Sequence, residues 1–267
     1  MVTSITNRSR QPKGTSKGGQ FAPETHETAP NDLEASGNET EATIVERYPN
    51  GNPRLKEWRN SNGDLDRTDG PAETWYYPDG TIQGEVWYQD GNLHRDNGPA
   101  YTSYRENGTI KREEWIENGK PHRTNAPSAI EYYEDGNIES ELWRKNGDLD
   151  RTDGPAYTYY CPNGTIRTES WWKDGELHRE DGPARLYYSS DGAPTEEDWY
   201  RNGQLHRVDG PAETEYREDG GIERESWWQN DRLHRDDGPA WVDYNPDGSV
   251  KSEQWFQDGK EISLPAH

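Results

Sequence analysis

Tyr188-Ser-Ser-Asp-Gly192, then Glu197-Asp-Trp-Tyr-Arg-Asn-Gly203-Gln-Leu-His-Arg207-Val-Asp-Gly-Pro-Ala212, is one copy of a frame that recurs along most of the chain. Tryptophans stand at Trp58, Trp87, Trp115, Trp143, Trp171, Trp199, Trp227 and Trp255; the first gap is 29 residues and every later one 28. A glycine keeps the same beat at Gly80, Gly108, Gly136, Gly164, Gly192, Gly220 and Gly248. A fixed period of this size marks a repeat array, which grows by adding units rather than by thickening one core.

Within a copy, Ala156-Tyr-Thr-Tyr-Tyr160 reads as a β-strand, Asn163-Gly164 as a turn, Thr165–Lys173 as a second strand and Asp174-Gly175 as a second turn. Asn-Gly and Asp-Gly between β-prone runs signal hairpins, because both central residues tolerate positive φ. Leu177-His-Arg179 is either a short extra strand or the start of the next, and the Asp181-Gly-Pro-Ala184 corner is a kink or bulge, since proline lacks a ladder donor. The copy around Trp115 is the loosest, with Pro121 for the leucine and Asn125-Ala-Pro-Ser128 for the corner. The terminal copies depart further, as capping units should: Lys56 takes the glutamate position in the first.

The positions that vary least describe how the sheet is held. Four columns run through the array: Tyr104, Tyr132, Tyr160 and Tyr188; Glu113, Glu141, Glu169 and Glu197; Trp115, Trp143, Trp171 and Trp199; Arg123, Arg151, Arg179 and Arg207. Strand side chains alternate, so each glutamate shares a face with the tryptophan two residues on, and the column of Ile82, Ile110, Ile138 and Ile166 is expected on the opposite face. The economical reading is an Arg–Glu–aromatic lattice, with guanidinium stacked on rings or paired with carboxylate. The fold class is therefore all-β: an elongated, single-layer, twisted antiparallel sheet of about eight hairpin repeats. Residues 1–43 are expected to be a disordered leader, 44–260 the array and 261–267 a tail.

Leu, Ile, Val and Phe are scarce, but 12 Trp and 16 Tyr supply burial that a net charge of −22 would otherwise preclude. So acidic a surface repels nucleic-acid phosphates and anionic lipid and suits a basic protein partner. The single Cys161 excludes an internal disulfide framework and a cysteine-rich metal site, and no apolar run reaches membrane-span length. A cytoplasmic location is expected, or a virion-borne one if a phage encodes the chain. The open ends of such a sheet also allow end-to-end homo-oligomers.

Candidate chemistry is thin. His94, His122, His178, His206 and His234 recur at most once per unit. Equivalent residues two strands apart are roughly 9–10 Å from one another, too far to share a zinc ion. Asp64-Leu-Asp-Arg-Thr-Asp-Gly70 lacks the spacing and distal glutamate of a calcium loop. The glutamates recur in nearly every unit, whereas a catalytic pair is unique, and no nucleophile with a base or phosphate loop appears. No enzyme and no cofactor are expected. Trp172, Trp228, His178, His206 and His234 remain as candidates for partner contact.

Tyr-x-x-[Asp/Asn]-Gly followed by Glu-x-Trp-x-x-[Asp/Asn]-Gly resembles the variant MORN repeat of bacterial proteins, over about residues 44–260. The resemblance implies a row of twisted antiparallel hairpins, a binding-platform role and an antitoxin-type label. Arg10-Gln-Pro-Lys-Gly-Thr-Ser-Lys-Gly-Gly-Gln-Phe-Ala22 resembles a short leader motif of actinobacteria, their phages and plasmids, which implies a mobile-element context. Three functions follow as expectations: a non-catalytic scaffold for a basic protein, a carbohydrate or cell-wall binder using exposed aromatics, or a DNA mimic.

Overall fold

The computed structural model describes residues 42–262. Every regular element in that span is a β-strand, and no helix there is long and apolar enough to cross a membrane. Sixteen strands, from Ile44–Arg47 to Val250–Gln254, pair antiparallel in sequence order in one sheet. At about 4.8 Å per strand the ribbon is roughly 70 Å long. Each unit contributes a four-residue strand such as Tyr157–Tyr160 and a five-residue strand such as Ile166–Ser170. A two-residue hairpin follows outside the main sheet, Trp172–Lys173 paired with Glu176–Leu177. The leucine thus sits in a short extra strand, and the histidine and arginine follow it.

The two turns of a unit differ, and only the second matches the expectation of two positive φ values. There Asp174 and Gly175 have φ of 49° and 80°, the geometry of a two-residue hairpin that follows the strand twist. In the first turn only the glycine is left-handed: Gly164 has φ 80°. Its N–H donates to the Cys161 carbonyl at 2.8 Å, and Cys161 N–H donates to Thr165 C=O at 2.8 Å. Pro162 sets the φ of the first central residue, which selects a three-residue loop with the glycine closing it.

A β-bulge directly before the column tyrosine corrects the expected phase. In the hairpin of Glu73–Tyr76 with Ile82–Val86, Trp75 faces Gly84 but Tyr76 faces Ile82, so Gln83 is the extra residue. The same shift precedes Tyr104, Tyr132, Tyr160, Tyr188, Tyr216 and Tyr244. One inserted residue reverses the alternation. The isoleucine column therefore lies on the same face as the tyrosines and glutamates, and Tyr76, Ile82 and Tyr104 form a buried cluster with Ile110 packed against it.

The corner alanine explains its own size. Ala72, Ala100, Ala156, Ala184, Ala212 and Ala240 are each wholly buried. Each carbonyl accepts from the preceding unit's tryptophan N–H, as Trp171 to Ala184 at 2.7 Å. In the loosest copy Ser128 takes this place, and its hydroxyl donates to Leu142 C=O at 3.1 Å.

Candidate functional site

One face of the ribbon is built from the repeating columns. Each column tyrosine donates its hydroxyl to the glutamate 19 residues earlier, in the preceding unit: Tyr104 to Glu85 at 2.8 Å, Tyr132 to Glu113 at 2.7 Å, Tyr160 to Glu141 at 2.9 Å and Tyr188 to Glu169 at 3.0 Å. Burial, with the adjacent carboxylates, raises the phenol pKa of Tyr104, Tyr160 and Tyr188 and holds these groups neutral as donors. Burial also raises Glu141, against the lowering effects of Tyr160 and the nearby Arg151.

Each column arginine lies over the tryptophan eight residues earlier, at 3.8 Å for Arg123 on Trp115, 3.6 Å for Arg151 on Trp143, 4.1 Å for Arg179 on Trp171 and 3.9 Å for Arg207 on Trp199. Trp115 and Trp143 thus occupy like surroundings. The carboxylate partner of the arginine is the corner aspartate rather than the column glutamate, as in Arg179 Nε to Asp181 at 3.0 Å. Nη1 donates to the Pro183 carbonyl at 3.2 Å. The far side of the guanidinium rests on the corner glycine: a Cβ on Gly182 would stand 2.7 Å from Arg179 Cζ. In this unit a methyl there would press on the guanidinium.

Four of the five array histidines, His122, His178, His206 and His234, are bound into the array through Nδ1, while His94 Nδ1 is buried without a partner among the described residues. His178 Nδ1 accepts from Asn202 N–H at 3.2 Å, His206 Nδ1 from Asn230 N–H at 3.3 Å and His234 Nδ1 from Asp258 N–H at 3.1 Å, each in the next unit's second turn. Asp66 and Asp150, which stand in the histidine position, accept from Asp90 and Asp174 N–H in the same way, both at 3.0 Å. His-to-Asp exchange between units is an exchange of acceptors. Pro121 is tolerated for a related reason: the leucine position gives the next unit its carbonyl, as Leu149 to Gly175 N–H at 3.0 Å, and Pro121 C=O does the same for Gly147 N–H at 2.9 Å.

Another ladder runs along the residue after the column tyrosine. Tyr77 donates its hydroxyl to Tyr104 C=O at 2.9 Å and Tyr133 to Tyr160 C=O at 2.6 Å, while Arg105 and Arg217 reach Tyr132 and Tyr244 C=O through their guanidinium groups. The sequence hides this position because it varies, with Cys161, Ser189 and Asn245 in other units; the bond forms where a tyrosine or arginine supplies a long donor.

The opposite face does not repeat. Its paired positions read Tyr101, Ser103, Arg112 and Glu114 in one unit, then Ala129, Glu131, Ser140 and Leu142. They continue as Tyr157, Tyr159, Thr168 and Ser170, then Arg185, Tyr187, Glu196 and Asp198, then Glu213, Glu215, Arg224 and Ser226. Local pairs knit it: Arg112 with Glu131 at 2.8 Å, Arg185 with Asp198 at 2.7 Å and Arg224 with Asp243 at 2.9 Å. Trp172 and Trp228 stand half-buried at its margin, their indole N–H groups donating to Ser170 Oγ at 2.7 Å and Ser226 Oγ at 2.6 Å. Two depressions open on this face, one lined by Tyr101, Ser103, Lys111, Arg112, Glu131 and Glu139 and the other bordered by Trp75 and Tyr77. The structure therefore sets Trp172 and Trp228 beside the variable face, and His178, His206 and His234 in bonds between units.

Comparison with known proteins adds little to the geometry. The family model described as MORN repeat variant matches residues 72–90 and 128–146, equivalent stretches two periods apart that run from the buried corner residue to the second turn. No curated protein matches the chain. Among solved structures, alternansucrase in complex with isomaltononaose is 14% identical with a TM-score of 0.18, over 86% of this chain and 17% of that one. The TcdB2–TccC3 structure is 13% identical with a TM-score of 0.13, over 77% of this chain and 13% of that one. The chain spans less than a fifth of either, and neither likeness bears on fold or function.

Proposed function

We propose that the chain is a non-catalytic binding scaffold whose non-repeating sheet face docks a protein partner of basic character. The observation that carries this reading is the division between faces. One face spends the same tyrosine, glutamate, tryptophan and arginine in unit after unit on holding the ribbon together. The other changes composition every unit, which is how a stack of like modules acquires a specific surface. A net charge of −22 favours a basic partner and opposes anionic lipid. MORN-type arrays serve as protein- and membrane-binding modules, and the two matched stretches agree with that role. The finer proposal is an immunity-like protein of a mobile element, acting in the cytoplasm or on a virion; the leader motif behind it lies outside the described residues.

A photo-cross-linking side chain at Tyr187, on the variable face, should trap the partner in lysate of the native host. The same group at Val208, which is 74% exposed on a corner, should not. Equal trapping at both positions, or at Val208 alone, refutes the assignment of the face. A glycan-binding reading rests on the aromatic tract of Tyr157, Tyr159, Tyr187 and Trp172; retention on peptidoglycan that is lost on Trp172→Ala would select it.

A further inference from the structure

We propose that Glu196, Asp198 and Glu213 form a binding site for a hard divalent cation. Asp198 and Glu213 stand directly opposite each other on adjacent strands, and Glu196 is two residues before Asp198 on the same face. One carboxylate oxygen from each lies within 4.8 Å of the other two. Like charges opposed across a sheet repel, so such a grouping needs a compensating cation.

The protein's own cation satisfies only half of Asp198. Arg185 delivers Nε at 2.8 Å and Nη2 at 2.7 Å, both to Oδ2, and also donates to the Tyr200 hydroxyl at 3.0 Å. Asp198 is 1% exposed, and its Oδ1 is buried with no hydrogen-bond partner. A buried carboxylate oxygen left bare is costly, and a hard cation is the partner that carboxylates favour. Glu213 accepts a hydrogen bond from Ser226 at 2.7 Å, which orients it, and Glu196 makes no hydrogen bond or ion pair among the described residues.

Three carboxylates offer the all-oxygen donor set that hard divalent cations such as calcium and magnesium take. This is also the one such group among the described residues. The equivalent positions elsewhere hold Thr168, Ser170 and Arg185, or Arg224, Ser226 and Trp241, so the site belongs to one unit and not to the repeat.

The test is calcium titration of the full chain by calorimetry at about 0.15 M salt, which screens diffuse surface attraction. Terbium luminescence sensitised through Tyr200 reports the same position. One ion per chain is expected, with Glu196→Gln and Glu213→Gln each weakening affinity about tenfold or more while circular dichroism stays unchanged. Glu196→Gln removes no hydrogen bond, so it carries the test if the other variant folds poorly. No binding at that salt would mean that the three carboxylates hold no cation, and binding unchanged in a chain carrying both substitutions would mean diffuse attraction to the acidic surface. Either result overturns the site.

Discussion

Arg151 holds its guanidinium carbon 3.6 Å from the centre of the Trp143 ring, while Nε donates to Asp153 at 3.0 Å and Nη1 to Pro155 C=O at 3.1 Å. One side chain thereby ties ring, corner and backbone of a unit. Arg151→Ala should destabilise by about 2–3 kcal/mol, the sum expected for a partly buried cation–π contact and its hydrogen bonds. Arg151→Lys should recover less than half, because an ammonium cannot stack and donate in the same plane. Urea unfolding of the three chains measures this.

Gly182→Ala should cost about 1–2 kcal/mol by lifting Arg179 off Trp171. The copy that carries Ala126 naturally has Asn125 at φ 62° just before it, so Asp181→Asn together with Gly182→Ala should recover part of the loss. Thermal unfolding of single and double variants decides; a harmless single substitution would refute the packing argument.

The histidine position is an acceptor position. His178→Asp should leave stability within about 0.5 kcal/mol, while His178→Phe should lose about 1 kcal/mol and speed amide exchange at Asn202, whose N–H loses its partner. Equal losses from both substitutions would show that ring packing rather than acceptance matters.

Glu196 gives the ribbon a pH dependence of known sign. Its folded pKa of about 7 exceeds the ordinary glutamate value of 4.5, so the folded state binds the extra proton between those values. Stability from this group is present at low pH and is lost as pH rises through about 7. Glu196→Gln should flatten that decline and raise the melting temperature at pH 8 without calcium. Melting curves from pH 4.5 to 8 check it, and a steeper decline in the variant would contradict the assignment.

What the sequence discloses is the spacing, and what it hides is the phase. Tryptophan, glycine and tyrosine columns reveal the hairpin array because each recurs for one structural reason. The isoleucine column misleads because alternation assumes a regular strand, and the residue inserted at Gln83 and its equivalents reverses it. Mixed columns such as His178 and Asp150 conceal their role, since what they share is an acceptor rather than a side-chain type; at the position of Tyr133 and Arg105 a long donor recurs in some units only. The carboxylate group at Glu196 is invisible to period-based reading because it occurs in one unit and spans two strands.

The central claim, that one face builds the ribbon and the other recognises the partner, is tested most directly by exchange. Arg185→Tyr, Glu196→Thr and Asp198→Ser give one unit the variable face of the unit before it and leave every column residue in place. The combined chain, and parallel exchanges in the neighbouring units, are compared for urea midpoint and for partner capture at Tyr187. The account predicts a midpoint shift of no more than about 1 kcal/mol with capture lost. Unfolding of the array, or full capture by every exchanged chain, would contradict it.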